Sequence, residues 1–558
     1  VTSRTRRRTS TGSFPKAAEG RTIPICKHLA VSLAALTLAL PVAAHADAGA
    51  YVKARAAAAE GEVDAAAAGY AAALAAAPDD EVIALRAYRN ALASGDMALA
   101  RRAAAVMTRS GVAPADVAIL DLADAIRSKN AGALEAALTR IESGPLDFLI
   151  PVIRAWVAYD RRDDPIAILD GADGGGLSRR YIAEHRALLL IATRQTDEAL
   201  AALRVAIAAD GSSIDLRWNA ATLLAARGKR SLAMTLLAGD DPVMTALRDN
   251  LVRAPRPGAA FGASRIFTRL AADLGGQQTQ LLTILLTRAA LSLDSGDDRA
   301  RLLLAEALAG EQAFERAQAT LDEIGKDSPF HEAALAARID LRRKRGDQAA
   351  AATLAASLAG RPDASAADRQ RYADLLSDAG DYAQAAEIYA QGLAAAGDDA
   401  TWVQHLQLGG ALERAGQWDA ALPHLRKAVE LAPQQAVALN YLGYALADRG
   451  IMLEEAESLL ERASRLRPDD AAITDSLGWV YFKRGDVARA LPLLEQAAQA
   501  EPSSVTINEH LGDAYWRAGR RFEARYAWRA AAIYADADEQ ARLQGKLANG
   551  LNLRAAAN

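Results

Sequence analysis

The chain of 558 residues has a single cysteine, and its aromatic content is only 5%. One cysteine excludes a disulfide framework and any multi-thiolate metal site. Scarce aromatics argue against a strand-rich protein, because aromatic and β-branched residues fill strands. With 18 prolines and 39 glycines, the chain is far from collagen-like or low-complexity composition. It also lacks excess positive charge: the net charge is −4 and the pI about 6.1. That excludes a general nucleic-acid binder, which needs a basic surface. What the chain does have is alanine, 136 residues of it, within a hydrophobic fraction of 51%. Alanine is the best helix former, so the composition predicts an all-α protein.

The first 46 residues have a character of their own. Arg4, Arg6, Arg7, Arg8, Lys16, Arg21 and Lys27 face one acid, Glu19. An apolar run from Leu29 to Ala44 follows, too short to span a bilayer, and ends in Ala44-His45-Ala46. Basic region, short apolar region and small-x-small site predict a secretory signal peptide removed after Ala46. Its loss takes away seven bases and one acid, moving the net charge from −4 to −10. Cys26 precedes the apolar run rather than following it, so no lipidation site is expected and the mature chain has no thiol. No later segment is apolar enough for a transmembrane span. The expected compartment is the periplasm.

The rest of the chain repeats. Leu408-Gly409, Leu442-Gly443, Leu477-Gly478 and Leu511-Gly512 recur at spacings of 34, 35 and 34. Each pair is followed by a glycine (Gly416, Gly450, Gly485, Gly519) and then an alanine (Ala421, Ala456, Ala490, Ala524). A bulky residue comes four positions later (Leu425, Leu460, Leu494, Trp528), and a second alanine closes the unit (Ala428, Ala463, Ala497, Ala531). Pro433, Pro468 and Pro502 stop three of the four. The small residues mark where two helices approach closely, and the mid-unit glycine suits a helix C-terminus at positive φ. One extra residue after Gly450 accounts for the spacing of 35. The frame continues backwards with erosion, through Gly380, Gly346, Gly228, Gly95 and Gly61.

This pattern resembles the tetratricopeptide repeat. The resemblance implies an all-α superhelical solenoid of roughly 12–14 helical hairpins. The expected organisation is a signal peptide over 1–46, degenerate repeats over 47–240 and an irregular helical junction over 241–297. A regular array over 298–535 and a capping helix with tail over 536–558 complete it. The segment reading LNYLGYALADRG, PDDAAITDSLGWVYFKRGDVARALPLLEQA and INEHLGDAYWRAGRRFEARYAWRAA is more specific. It resembles a family of exported bacterial tetratricopeptide proteins common in proteobacteria. One relative is an envelope lipoprotein that partners a carboxyl-terminal processing protease. The resemblance implies a non-catalytic adaptor for envelope proteins, with a scaffold subunit of an envelope secretion or polysaccharide export complex as the alternative.

Enzyme chemistry is not expected. The mature chain has His185, His331, His405, His424 and His510, with no pair at the helical spacing of a shared metal site and no HExxH. Gly228-Lys229-Arg230-Ser231 lacks the geometry of a phosphate loop. No cofactor or metal is expected. Asp79-Asp80 and Asp469-Asp470 sit at unit junctions, where helix N-caps belong. The function expected of a solenoid is binding along the concave face lined by first helices. Candidate groove residues are Asn440, Tyr444 and Asp448; Asp475, Trp479, Phe482 and Lys483; and Glu509, Asp513, Trp516 and Arg517. Trp, Tyr and Arg dominate interface energetics. Packing between adjacent helices is the competing role for Trp479 and Trp516. Acids at 475, 509 and 513 would disfavour an acidic ligand and suit a basic or mixed apolar and basic one. Protein partners are expected, and nucleic acid is not.

Overall fold

The computed structural model describes residues 48–551 except 173, 174, 177, 210–213, 240, 241, 252–255 and 276–278. The expected signal peptide lies outside the described residues. Among the described residues there are 30 α-helices and no strand. None of these helices is long and apolar enough to cross a membrane.

The chain forms two compact units. The first holds Val1–Leu189 and Pro257–Arg316, the second Leu190–Arg256 and Ala317–Asn558. The first unit begins with α1 (Ala48–Ala59), α2 (Val63–Ala76), α3 (Glu81–Ser94), α4 (Met97–Arg109), α5 (Val117–Ser128) and α6 (Ala131–Glu142). Next come α7 (Ile150–Arg161), the short α8 (Pro165–Asp170) and α9 (Ser178–Ala192). The second unit takes α10 (Thr196–Ala209), α11 (Ile214–Ala226), α12 (Arg230–Leu236) and α13 (Pro242–Asp249). The chain then returns to the first unit with α14 (Ala259–Asp273), α15 (Gln280–Leu293) and α16 (Asp298–Gly310).

This division differs from the expected boundaries at 240 and 297. The stretch 241–297, expected to be irregular, includes α14 and α15, which are regular and deeply buried. Both are apolar around most of their circumference, and such helices need neighbours on several sides. They find them within their own unit: α14 contacts α5 and α7, and α15 contacts α3 and α5. Gly262 on α14 is required there, since a Cβ would lie 2.1 Å from the Trp156 ring. The Trp156 indole N–H donates to Nδ1 of the buried His185 at 2.9 Å.

In the second unit, after α17 (Phe314–Asp322), a serial stack follows. It comprises α18 (His331–Lys344), α19 (Gln348–Ala359), α20 (Ala366–Asp378), α21 (Tyr382–Ala396), α22 (Trp402–Arg414) and α23 (Trp418–Leu431). It continues with α24 (Ala436–Arg449), α25 (Leu453–Leu466), α26 (Ala471–Lys483), α27 (Val487–Ala500), α28 (Val505–Arg517), α29 (Arg521–Tyr534) and α30 (Ala537–Asn549). From α18 onward each helix contacts the next. The repeated residues do what their spacing predicts. Gly416, Gly450, Gly485 and Gly519 adopt φ of 77°, 68°, 87° and 81° just past their helices. The extra residue after Gly450 is accommodated by a second left-handed residue, Met452, at φ 48°. Asp80 and Asp470 cap α3 and α26 by accepting two backbone N–H bonds each.

The Leu-Gly pairs mark the crossings inside each hairpin. A Cβ on Gly409, Gly443 or Gly478 would come within 2.7, 2.6 and 2.8 Å of Leu425, Leu460 and Leu494. On Gly512 it would meet the Trp528 ring at 2.4 Å. Contacts this short cannot be absorbed in a close-packed interior. Gly443→Ala should therefore destabilise the array by ~1–3 kcal/mol despite the better helix propensity of alanine. Gly392→Ala, on the open face of α21 with nothing within 4 Å, should instead stabilise by ~0.5–1 kcal/mol. Urea midpoints of the two variants should move in opposite directions.

Candidate functional site

The first helices of the last hairpins, α24, α26 and α28, contact one another in sequence. Side chains one unit apart therefore become lateral neighbours. Asp475 on α26 bonds His510 on α28, with Oδ2 2.9 Å from Nδ1. The His510 imidazole stacks on the Trp479 indole, with centroids 3.8 Å apart and planes within 12°. Tyr444 on α24 lies against the same imidazole at 6.1 Å. Phe482 also stacks on Trp479, with centroids 4.8 Å apart. Lys483 reaches over Trp479 at 5.5 Å and donates to the Asp448 carbonyl. Arg517 lies over Phe482 at 5.4 Å.

Of the groove candidates, Asn440, Tyr444, Lys483 and Trp516 are half-buried, and Asp448 and Arg517 are exposed. Asp475, Trp479, Phe482, Glu509 and Asp513 are buried, which corrects the picture of them as open groove walls. The cause lies in α26, whose sequence AAITDSLGWVYFK is apolar around most of its circumference; 11 of its 13 residues are buried. The acids are correspondingly neutralised. Arg542 and Lys546 on α30 both bind Glu509, at 2.7 Å, and Lys546 also binds Asp513 at 2.7 Å. Burial acts to raise the Glu509 pKa, but the hydrogen bonds from Arg542 and Lys546 outweigh it and hold the carboxyl at about 2. For Asp513 burial prevails over Lys546 and pushes the carboxyl up. At 509 and 513 the acids are thus already paired with cations of the same chain.

Two polar atoms on this surface are left over. The Trp479 Nε1–H and the Asn440 Oδ1 are both buried and have no hydrogen-bond partner. An unpaired buried polar group costs ~1–3 kcal/mol. One donor and one acceptor, on adjacent helices and beside stacked aromatic rings, match what a peptide backbone offers in return.

His510 was missed as a candidate, although it sits 35 residues from Asp475, one repeat away, which is the available signal. Arg542 and Lys546 were missed likewise, each 33 residues beyond its acid. A second pairing also escaped the sequence. His405 on α22 and His424 on α23 meet across their hairpin, Nδ1 to Nδ1 at 3.1 Å. Two rings in this contact share one proton, and burial lowers both pKa values. No group of three or more His, Cys, Asp or Glu among the described residues is arranged to hold a metal.

A family model described as the tetratricopeptide repeat matches residues 406–471 and 476–541. These two segments are tetratricopeptide repeats. They contain every candidate groove residue except Asp475, which lies between them. A TPR repeat-containing protein of Pseudomonas aeruginosa is 47% identical over 66 residues, 12% of this chain and 11% of that protein. The Drosophila melanogaster protein O-mannosyl-transferase Tmtc2 is 37% identical over 71 residues, 13% of this chain and 8% of its own. The chain thus spans about a tenth of the length of these relatives, and the transferase activity in the second name is said of that protein. Among solved structures, a thermophilic TPR protein of Thermus thermophilus is 24% identical, covering 33% of this chain and all of that one, with TM-score 0.30. A tetratricopeptide repeat protein of Parabacteroides merdae covers 46% of this chain and 99% of its own at 15% identity, with TM-score 0.39. Tetratricopeptide arrays suggest a protein-interaction scaffold.

Proposed function

We propose that the chain is a non-catalytic adaptor that holds an extended segment of a protein partner on the face of α24, α26 and α28. The observation that carries this reading is the pair of unpartnered groups, Trp479 Nε1–H and Asn440 Oδ1, beside the Tyr444–His510–Trp479–Phe482 aromatic group. Of these rings the half-buried Tyr444 supplies rigid contact area, with the buried ones behind it, and the two polar atoms fix the register of a bound backbone. Asp448 and Arg517, both exposed at the rim, add charge selection. The signal-like N-terminus supports a periplasmic site of action, with signal cleavage after Ala46. Resemblance of the region 439–531 to exported relatives supports a role in presenting substrates to an envelope protease acting on cell-wall hydrolases. A scaffold in an export complex is the second reading, on the same resemblance.

A photo-crosslinking amino acid at position 444, introduced into the full chain in cells, tests this. The expected result is a discrete protein adduct that Asn440→Ala reduces. The same probe at the exposed Val205 on α10 should give no such band. A crosslinked protease or hydrolase supports presentation, and an export component replaces it with the second reading. Absence of any adduct above that at position 205 would overturn the binding role itself.

A further inference from the structure

The outer face of α29 has a composition unlike the rest of the array. Phe522, Tyr526 and Ile533 are 72%, 57% and 73% exposed. At 100° per residue these three and Arg529 fall within about 60° of one another, forming one stripe along the helix. Exposed large apolar side chains gathered in one stripe, rather than scattered, mark interaction surfaces. Beside the stripe, between α29 and α30, lies a cleft of about 420 Å³ lined by Arg525, Arg529, Ala532, Ile533, Gln544 and Leu547.

The arginines decide what would fit. Arg520 is paired with Glu495 and Glu523, and Arg542 with Glu509. Arg521, Arg525 and Arg529, at i, i+4 and i+8 on α29, have no carboxylate partner among the described residues. Arg521 and Arg525 lie over the Trp516 ring at 5.2 and 5.1 Å, and Arg529 over Tyr526 at 5.8 Å. Their positive charge is thus held in place on aromatic faces and left unneutralised. The cleft lining thus combines the apolar Ala532, Ile533 and Leu547 with the cationic Arg525 and Arg529.

We infer that α29 and the α29–α30 cleft form a second docking surface, for an acidic amphipathic helix of a protein partner. An apolar side chain of that helix enters the cleft, and its carboxylates pair with Arg525 and Arg529. The surface is independent of the face of α24, α26 and α28. An anionic membrane suits it less well. Asp536 and Asp538, exposed at the start of α30, would lie against a continuous anionic plane, whereas a helix no longer than α29, about 21 Å, avoids them.

The test uses the full chain and a fluorescent synthetic amphipathic helix of about four turns, with leucines on one face and glutamates flanking them. Anisotropy should show binding that weakens as salt is raised. A control peptide with lysine for each glutamate should bind about tenfold more weakly or not at all. Arg529→Glu should weaken the acidic peptide about tenfold, with an unchanged urea midpoint because Arg529 is exposed. Phe522→Ser, also exposed, should weaken it through the apolar stripe alone. Equal binding of both peptides, or indifference to both substitutions, would overturn the inference. So would binding of phosphatidylglycerol vesicles in preference to the peptide.

Discussion

Trp528→Ala should destabilise the C-terminal hairpins by ~3–5 kcal/mol, among the larger effects of a single substitution. Trp528 is fully buried, and its ring occupies the space that Gly512 leaves open. Its Nε1–H donates to Asp513 Oδ1 at 2.9 Å, and Asp513 is itself held by Lys546 from α30. Removing the indole empties the crossing of α28 and α29 and takes one partner from a buried carboxylate. Trp528→Phe keeps most of the packing and loses only that bond, a cost of ~1–3 kcal/mol. Because stacked repeats are held by nearest-neighbour contacts, the loss should be local. Amide exchange should accelerate across 505–549, with little change in the first unit. Uniform protection in Trp528→Ala would contradict this account of the end of the array.

The second large effect is a pH dependence in the first unit. His185 is buried, and its Nδ1 accepts the Trp156 indole proton, so its proton sits on Nε2. Burial lowers its pKa to about 3. An unfolded histidine titrates near 6.5. Below that pH the unfolded chain therefore binds a proton that the folded chain refuses. The stability contributed by neutral His185 is complete above about pH 6.5 and is lost as the pH falls towards 3, by about 1.4 kcal/mol per unit. His185→Gln, which can still accept from Trp156 through its amide oxygen, should remove one proton from this linkage. Between pH 7 and pH 5, urea unfolding of the wild type should weaken by about 2 kcal/mol more than that of the variant. Parallel pH profiles for the two would show that His185 is protonated in the folded state.

The array was legible because its rules are local. Leu442-Gly443, Ala456 and Leu460 lie within one hairpin, and the need for a small residue opposite a bulky one is written within 18 positions. The left-handed glycines and the Asp470 cap are likewise set by neighbours in sequence. What escaped depends on residues further away. Whether Asp475 lines a groove or is buried depends on His510 one unit on, and Glu509 and Asp513 depend on Arg542 and Lys546. The His405–His424 contact crosses a hairpin rather than following one helix, so helical spacing did not reveal it. The grouping of α14 and α15 with the N-terminal helices rests on contacts such as Arg288 to the Leu92 carbonyl, 196 positions apart. No local periodicity carries that. The 34-residue period led correctly to tetratricopeptide repeats, which the family model matches over 406–471 and 476–541.

The binding role of the α24–α26–α28 face rests on the vacant hydrogen-bonding capacity of Trp479 and Asn440. The most direct measurement is the indole N–H resonance of Trp479 in the 15N-labelled full chain, assigned by its loss in Trp479→Phe. It is followed as the protein crosslinked at position 444 is added in purified form. If the partner's backbone accepts this proton, the resonance moves downfield and its solvent exchange slows, and Asn440→Ala weakens the titration. A Trp479 resonance that stays in place while the partner binds would contradict the account.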